Sequence, residues 1–166
     1  MALATVEFLY EWQWAEAEKE INLAIDLDPN SSFSHIQYAY FMIAMGRVED
    51  AVKQAQIAVR LDPLSLANSM NYGRALYFAR RYDEAIAQYR KTLELDANYS
   101  MAHFFLGFAL EQEGRYDEAM AHIIKSRFSS DSKVVKLLTD TYSRAGYMET
   151  LKAWAKYWEA GVRDGS

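Results

Sequence analysis

Cysteine is absent from this chain of 166 residues, so it can build no disulfide framework, thiolate metal site or cysteine nucleophile. That absence fits a reducing compartment, and a cytoplasmic location is expected. Proline occurs only at Pro29 and Pro63, and no Gly/Ser/Pro-rich linker interrupts the chain, which reads as one continuous unit. No apolar run approaches the roughly 18–20 residues of a membrane span. The opening Met1-Ala2-Leu3-Ala4-Thr5-Val6-Glu7 lacks the basic-then-apolar order of a signal peptide. Basic charge is not in excess. The net charge is -5, with acids and bases intermixed, which argues against nucleic-acid binding by this segment.

Motifs of catalysis are missing too. There is no Gly-rich phosphate loop, no Gly-x-Ser-x-Gly and no His-Glu-x-x-His. The three histidines are His35, His103 and His122. His35 and His103 fill the same column two repeats apart, too far to share a metal. His103 and His122 are expected to face each other within one helix pair, with no third ligand evident. Neither an enzyme nor a cofactor or metal site is expected.

What the chain does have is a phrase at fixed spacing. Leu27-Asp28-Pro29 recurs as Leu61-Asp62-Pro63 and Leu95-Asp96-Ala97, 34 residues apart each time. Arg47-Val48-Glu49-Asp50-Ala51 returns in the same phase as Arg81-Tyr82-Asp83-Glu84-Ala85 and Arg115-Tyr116-Asp117-Glu118-Ala119. Paired acids at a helix start favour the positive end of its dipole. Gly46 and Gly114 stand just before, where glycine ends a preceding helix. Each period is therefore a helix, a tight turn, a second helix and a Leu-Asp-Pro exit that proline keeps from extending. The spacing predicts helices over about 3–11, 14–27, 33–45, 48–61, 67–79, 82–95, 101–113, 116–127, 132–145 and 148–159, and nothing reads as a strand.

These columns resemble the tetratricopeptide repeat (TPR), whose period is 34 and whose pattern is W-x2-L-G-x2-Y, A-x3-F, P. Here it runs His35-x2-Tyr38-Ala39-x2-Met42, Ala51-x3-Ala55, Pro63, then Ser69-x2-Tyr72-Gly73-x2-Leu76 with Ala85-x3-Tyr89, then His103-x2-Leu106-Gly107-x2-Leu110 with Ala119-x3-Ile123. His, Ser and His replace the usual Trp. The resemblance implies an all-α, right-handed α-solenoid of about ten helices. Its units fall at about 1–31, 32–65, 66–99, 100–131 and 132–161. The opening Tyr10-Glu11-Trp12-Gln13-Trp14 and Ile25-Asp26-Leu27-Asp28-Pro29 also look like TPR regions attached to bacterial signalling proteins, transcription regulators among them.

The resemblance implies that the first helix of each unit lines a concave face, and the sequence says what stands there. The outer stripe of 33–45 holds Phe33, Ile36 and Tyr40. The next unit places Met70, Asn71, Arg74, Tyr77 and Phe78 there, and the third Met101, Phe104 and Phe108. A solvated helix face should be polar, and this stripe is aromatic with one cation. The expectation is a groove for a peptide or helix of a protein partner. The Lys/Asn clamp of chaperone-binding TPR domains is not reproduced, since only Asn71 matches it. The alternative is an oligomerisation or intramolecular regulatory segment of a larger signalling protein. Trp154 and Tyr157 on the last helix would then form a self-association edge for a homo-oligomer. On either reading the chain is expected to be a segment of a longer protein.

Overall fold

A computed structural model describes residues 2–127 and 132–163, with side-chain environments for 14–126, 133–157 and 159. The side chains of Phe8, Trp12 and Trp158 therefore lie outside the described residues. Every secondary-structure element among the described residues is helical: α1 (Ala2–Leu27), α2 (Ser32–Ala44), α3 (Val48–Leu61), α4 (Leu66–Phe78), α5 (Tyr82–Leu95), α6 (Ser100–Gln112), α7 (Tyr116–Arg127) and α8 (Ser132–Arg163). The all-α, helix-turn-helix repeat architecture expected from the period is what the structure shows.

One boundary differs from the sequence expectation, and another holds as a break within a longer element. The helices anticipated at 3–11 and 14–27 are one element, α1, because Glu11-Trp12-Gln13-Trp14 holds neither glycine nor proline to break it. The two anticipated at 132–145 and 148–159 are the two halves of α8, separated by a non-helical break at Gly146 with φ 76 and ψ -173. No L-residue adopts that conformation readily, so the break is set by glycine.

The repeated phrases have local causes. At each exit the Asp carbonyl accepts the N–H three residues on: Ser31 to Asp28 at 3.1 Å, Ser65 to Asp62 at 3.4 Å and Tyr99 to Asp96 at 3.2 Å. The Asp28 and Asp96 carboxylates also accept the N–H of Asn30 and Asn98. This turn delivers Ser31 and Ser65 as N-caps, each accepting a backbone N–H at 3.2 Å. Inside each pair the first helix ends in a Schellman motif. Arg47, Arg81 and Arg115 donate their N–H to the carbonyls of Met42, Leu76 and Leu110 at 2.8–2.9 Å. The left-handed residues there are Gly46 (φ 73), Arg80 (φ 61) and Gly114 (φ 71).

The chain forms two compact units, Met1–Lys91 and Thr92–Ser166. In the first, α1 packs on α2, α2 on α3 and α4, and α3 on α4. The core is lined with small residues, with Ala51, Ala55, Ala58 and Ala75 fully buried. Gly73 meets the ring of Tyr89, also fully buried, so closely that a Cβ would lie 2.5 Å from it. Glu18 of α1 ties three elements together. Tyr38 donates to its carboxylate at 2.9 Å and Arg47 pairs with it. Those bonds hold the Glu18 carboxyl below the usual carboxylate range, the Arg47 contribution being largest.

In the second unit α6 packs on α7 and α7 on α8. Gly107 lies where a Cβ would sit 2.6 Å from Ile123 and 3.2 Å from the Ala119 carbonyl. Val134 and Leu138 of α8 form a buried cluster with Ile124, Val135 and Trp154 against it.

Candidate functional site

The first helices differ from the second in charge. Along α2 and α4 Arg74 is the one formally charged side chain, His35 aside, whereas α3 and α5 begin with acidic pairs and carry bases along their length. The inner stripe of α2 is consumed by packing, with His35, Tyr38, Ala39 and Met42 all buried. The outer stripe is split. Ile36, Met70 and Asn71 are buried too, while Tyr40, Arg74 and Tyr77 are half-buried and Phe78 is 44% exposed.

On neighbouring helices α2 and α4 these residues meet. The Tyr40 hydroxyl donates to the Asn71 side-chain carbonyl, which fixes the ring. The Arg74 guanidinium carbon lies 4.4 Å from that ring's centroid, a cation–π arrangement. One turn on, Tyr77 stands edge-on to Phe78 at 5.8 Å and tilted against Tyr82 at 5.5 Å. Beneath, burial pushes the Tyr89 phenol above its ordinary range, with the nearby Arg74 charge acting against it.

Phe33 does not join this cluster. It is 70% exposed and lines a cleft of about 270 Å³ with Ser34 and Gln37 of α2 and Ala17, Glu20, Ile21 and Ala24 of α1. Sequence reasoning missed the α1 wall of that cleft. Ala17-x3-Ile21-x2-Ala24, small residues beside a bulky one, was the available signal.

In the second unit α6 carries its own aromatic run. Phe104 stands edge-on to Phe108 at 4.6 Å and to Phe105 at 5.5 Å, all half-buried, and Met101 is exposed. Towards the C-terminal side Tyr116 lies against Tyr147 at 5.0 Å. Burial, reinforced by Glu111, raises the Tyr147 phenol. Tyr142 donates to Asp117, a bond that pushes its own ionisation up to about 12. Trp154 packs on the Val134–Leu138 cluster, whereas Tyr157 is 42% exposed.

Among the described residues no group of three or more His, Asp or Glu could hold a metal ion, and no helix is long and apolar enough to cross a membrane. Ring faces take apolar or aromatic side chains, and a guanidinium takes a carboxylate.

The tetratricopeptide repeat profile matches residues 43–100 and 73–123. No curated protein sequence matches this one. Among solved structures, a crystal structure of MamA superposes with a TM-score of 0.70 at 18% identity, over 94% of this chain and 93% of that one. The type III secretion translocator chaperone SycD of Yersinia enterocolitica, crystallised as an alternative dimer, gives 0.58 at 20% identity over 76% and 94%. At such identities the likeness is one of fold. The matched profile and the repeat-by-repeat hydrogen bonding agree: through residues 43–123 this chain is similar to the tetratricopeptide repeat.

Proposed function

We propose that the chain is a non-catalytic interaction module that binds a peptide or helix of a protein partner on the outer stripe of its first helices. The observation that carries this is the Arg74–Tyr40 stack beside Tyr77 and Phe78, on two helices with no acidic side chain. A partner suited to it is an amphipathic segment that sets a carboxylate next to aromatic or aliphatic side chains. Arg74 pairs with the carboxylate, and Tyr77 and Phe78 cover the apolar part. The Met101, Phe104 and Phe108 run of α6 repeats the column and is proposed for the same kind of contact. One structural relative fits this reading, being named a chaperone for secretion translocators.

The test is a panel of synthetic amphipathic peptides, matched as acid and amide forms, titrated while amide NMR shifts are followed. Binding by the acid forms, with shifts centred on α2 and α4 and lost in Arg74→Gln, supports the reading. Shifts confined to other helices reject it.

A second reading has its own observation. Met148 and Tyr157 of α8 are exposed while Trp154 is turned to the core, so an apolar edge remains for a second copy or another domain of a larger signalling protein. Sedimentation across a concentration range, with Tyr157→Lys as control, decides that reading.

A further inference from the structure

The second helix of each repeat turns one column of positions towards its own first helix. In α3 these are Ala51, Ala55 and Ala58, and in α5 Ala85, Tyr89 and Thr92, all fully buried. In α7 Ala119 and Ile123 are buried in the same way, against Gly107 of α6. A polar position in the column ties each pair: Gln54 to His35 at 2.6 Å, Gln88 to Ser69 at 2.8 Å and His122 to His103 at 2.7 Å.

Thirty-four residues before α3, α1 repeats the column with Ala17, Ile21 and Ala24, and the polar position with Glu20. There the column is open. Glu20 and Ala24 are exposed, and Ala17 and Ile21 only half-buried. The cause is that α1 runs unbroken from Ala2 to Leu27, so among the described residues no first helix folds back on it. The cleft of about 270 Å³ lies along this column, and Phe33, Ser34 and Gln37 of α2 form its far wall. A repeat unit buries its apolar face only on a neighbouring helix, so the cleft is shaped as a seat for one.

We infer that the α1–α2 cleft seats an amphipathic helix of a protein partner, which lays small or aliphatic side chains on Ala17, Ile21 and Ala24 and sets a lysine or arginine against Glu20. This surface is separate from the α2–α4 stripe. Charge selects its occupant. Glu18 is taken by Arg47 and Tyr38, and Glu16 lies 3.7 Å from Lys19. Glu20 has no ion pair or hydrogen bond among the described residues. An ionised carboxylate can only accept, so the occupant must donate. The chain's own first residues cannot meet that need. Residues 1–13 contain Glu7 and Glu11 and no Lys, Arg or His, so neither folding back nor exchange between two copies brings a cationic side chain to Glu20. Residues 1–31 hold seven acidic side chains against Lys19 alone, a field that draws a basic helix.

The test uses a synthetic amphipathic peptide of 13 residues, the length of α2, α4 and α6, with one lysine in its alanine and leucine stripe. Its twin has glutamate in that place. Titrated while amide NMR shifts are followed, the lysine peptide should perturb Ala17, Ile21, Ala24 and Phe33. It should bind at least about fivefold more tightly than its twin, an ion pair replacing a like-charge contact. Glu20→Lys, a change on an exposed side chain, should invert that preference. Ala24→Phe, which fills the cleft from an exposed position, should abolish binding. Equal affinities, no binding, or shifts confined to other helices overturn the inference. Concentration-dependent dimers that Ala24→Phe dissolves would put a second copy in the cleft, and contacts from residues 2–10 to Ala24 would put the chain's own segment there; either result also overturns it.

Discussion

Arg80 is the residue at which the repeat departs from its own rule. Its column holds Gly46 and Gly114, both left-handed, and Arg80 takes the same conformation with φ 61. A left-handed L-residue costs about 1–2 kcal/mol, part of which glycine gives back as unfolded-chain entropy. Arg80→Gly should therefore stabilise the chain by about 0.5–1 kcal/mol, measured by chemical unfolding; a loss of stability would mean that the Arg80 side chain contributes more than its backbone costs. The sequence made the glycines of this column legible because the period aligned them. Arg80 carries no such signal, and the period alone placed the same turn between 79 and 82. The repeated Asp was legible as a mark, and its cause, a carbonyl closing the exit turn, needed coordinates.

Between elements, contact distance does the specifying. Gly73 lets α4 lie against the ring of Tyr89 on α5. Gly73→Ala should cost about 1–3 kcal/mol, because the ring is fully buried and cannot swing away. An unchanged melting temperature would show that the helices can separate freely. Glu18 offers a pH test for α1. Its carboxyl is held low by Arg47 and Tyr38, so its stabilisation is present above the usual carboxylate range and is lost as the pH falls below it. Glu18→Gln should weaken the chain at pH 7 and flatten its stability between about pH 5 and 3. A variant as acid-labile as the parent would remove Glu18 from the account. The packing of first helix on second could be read from apolar spacing, as the burial of Tyr38, Met42, Tyr89 and Leu106 shows. What could not be read was the second face of each first helix. Ile36, Met70 and Asn71 are buried because α2 also packs on α4, and a single sequence does not say which stripe residues a neighbouring helix will cover.

At the scale of the molecule, a phrase recurring every 34 residues pointed to the helical repeat architecture before any contact was known, because the turn chemistry is local and copied. The surface on offer to a partner is not copied. It differs from unit to unit, and only placement shows that Tyr40 and Arg74 stack while Phe33 turns to a cleft against α1. The central claim is that the α2–α4 face recognises an apolar segment bearing a carboxylate. Titrating acid and amide forms of one amphipathic peptide into the chain and into Arg74→Gln and Phe78→Glu tests it most directly. The account predicts that the acid form binds at least about tenfold more tightly than the amide, a difference of about 1.4 kcal/mol. It predicts that Arg74→Gln erases that preference and that Phe78→Glu weakens both forms. Acid and amide forms binding alike, with neither substitution changing the affinity, would contradict it.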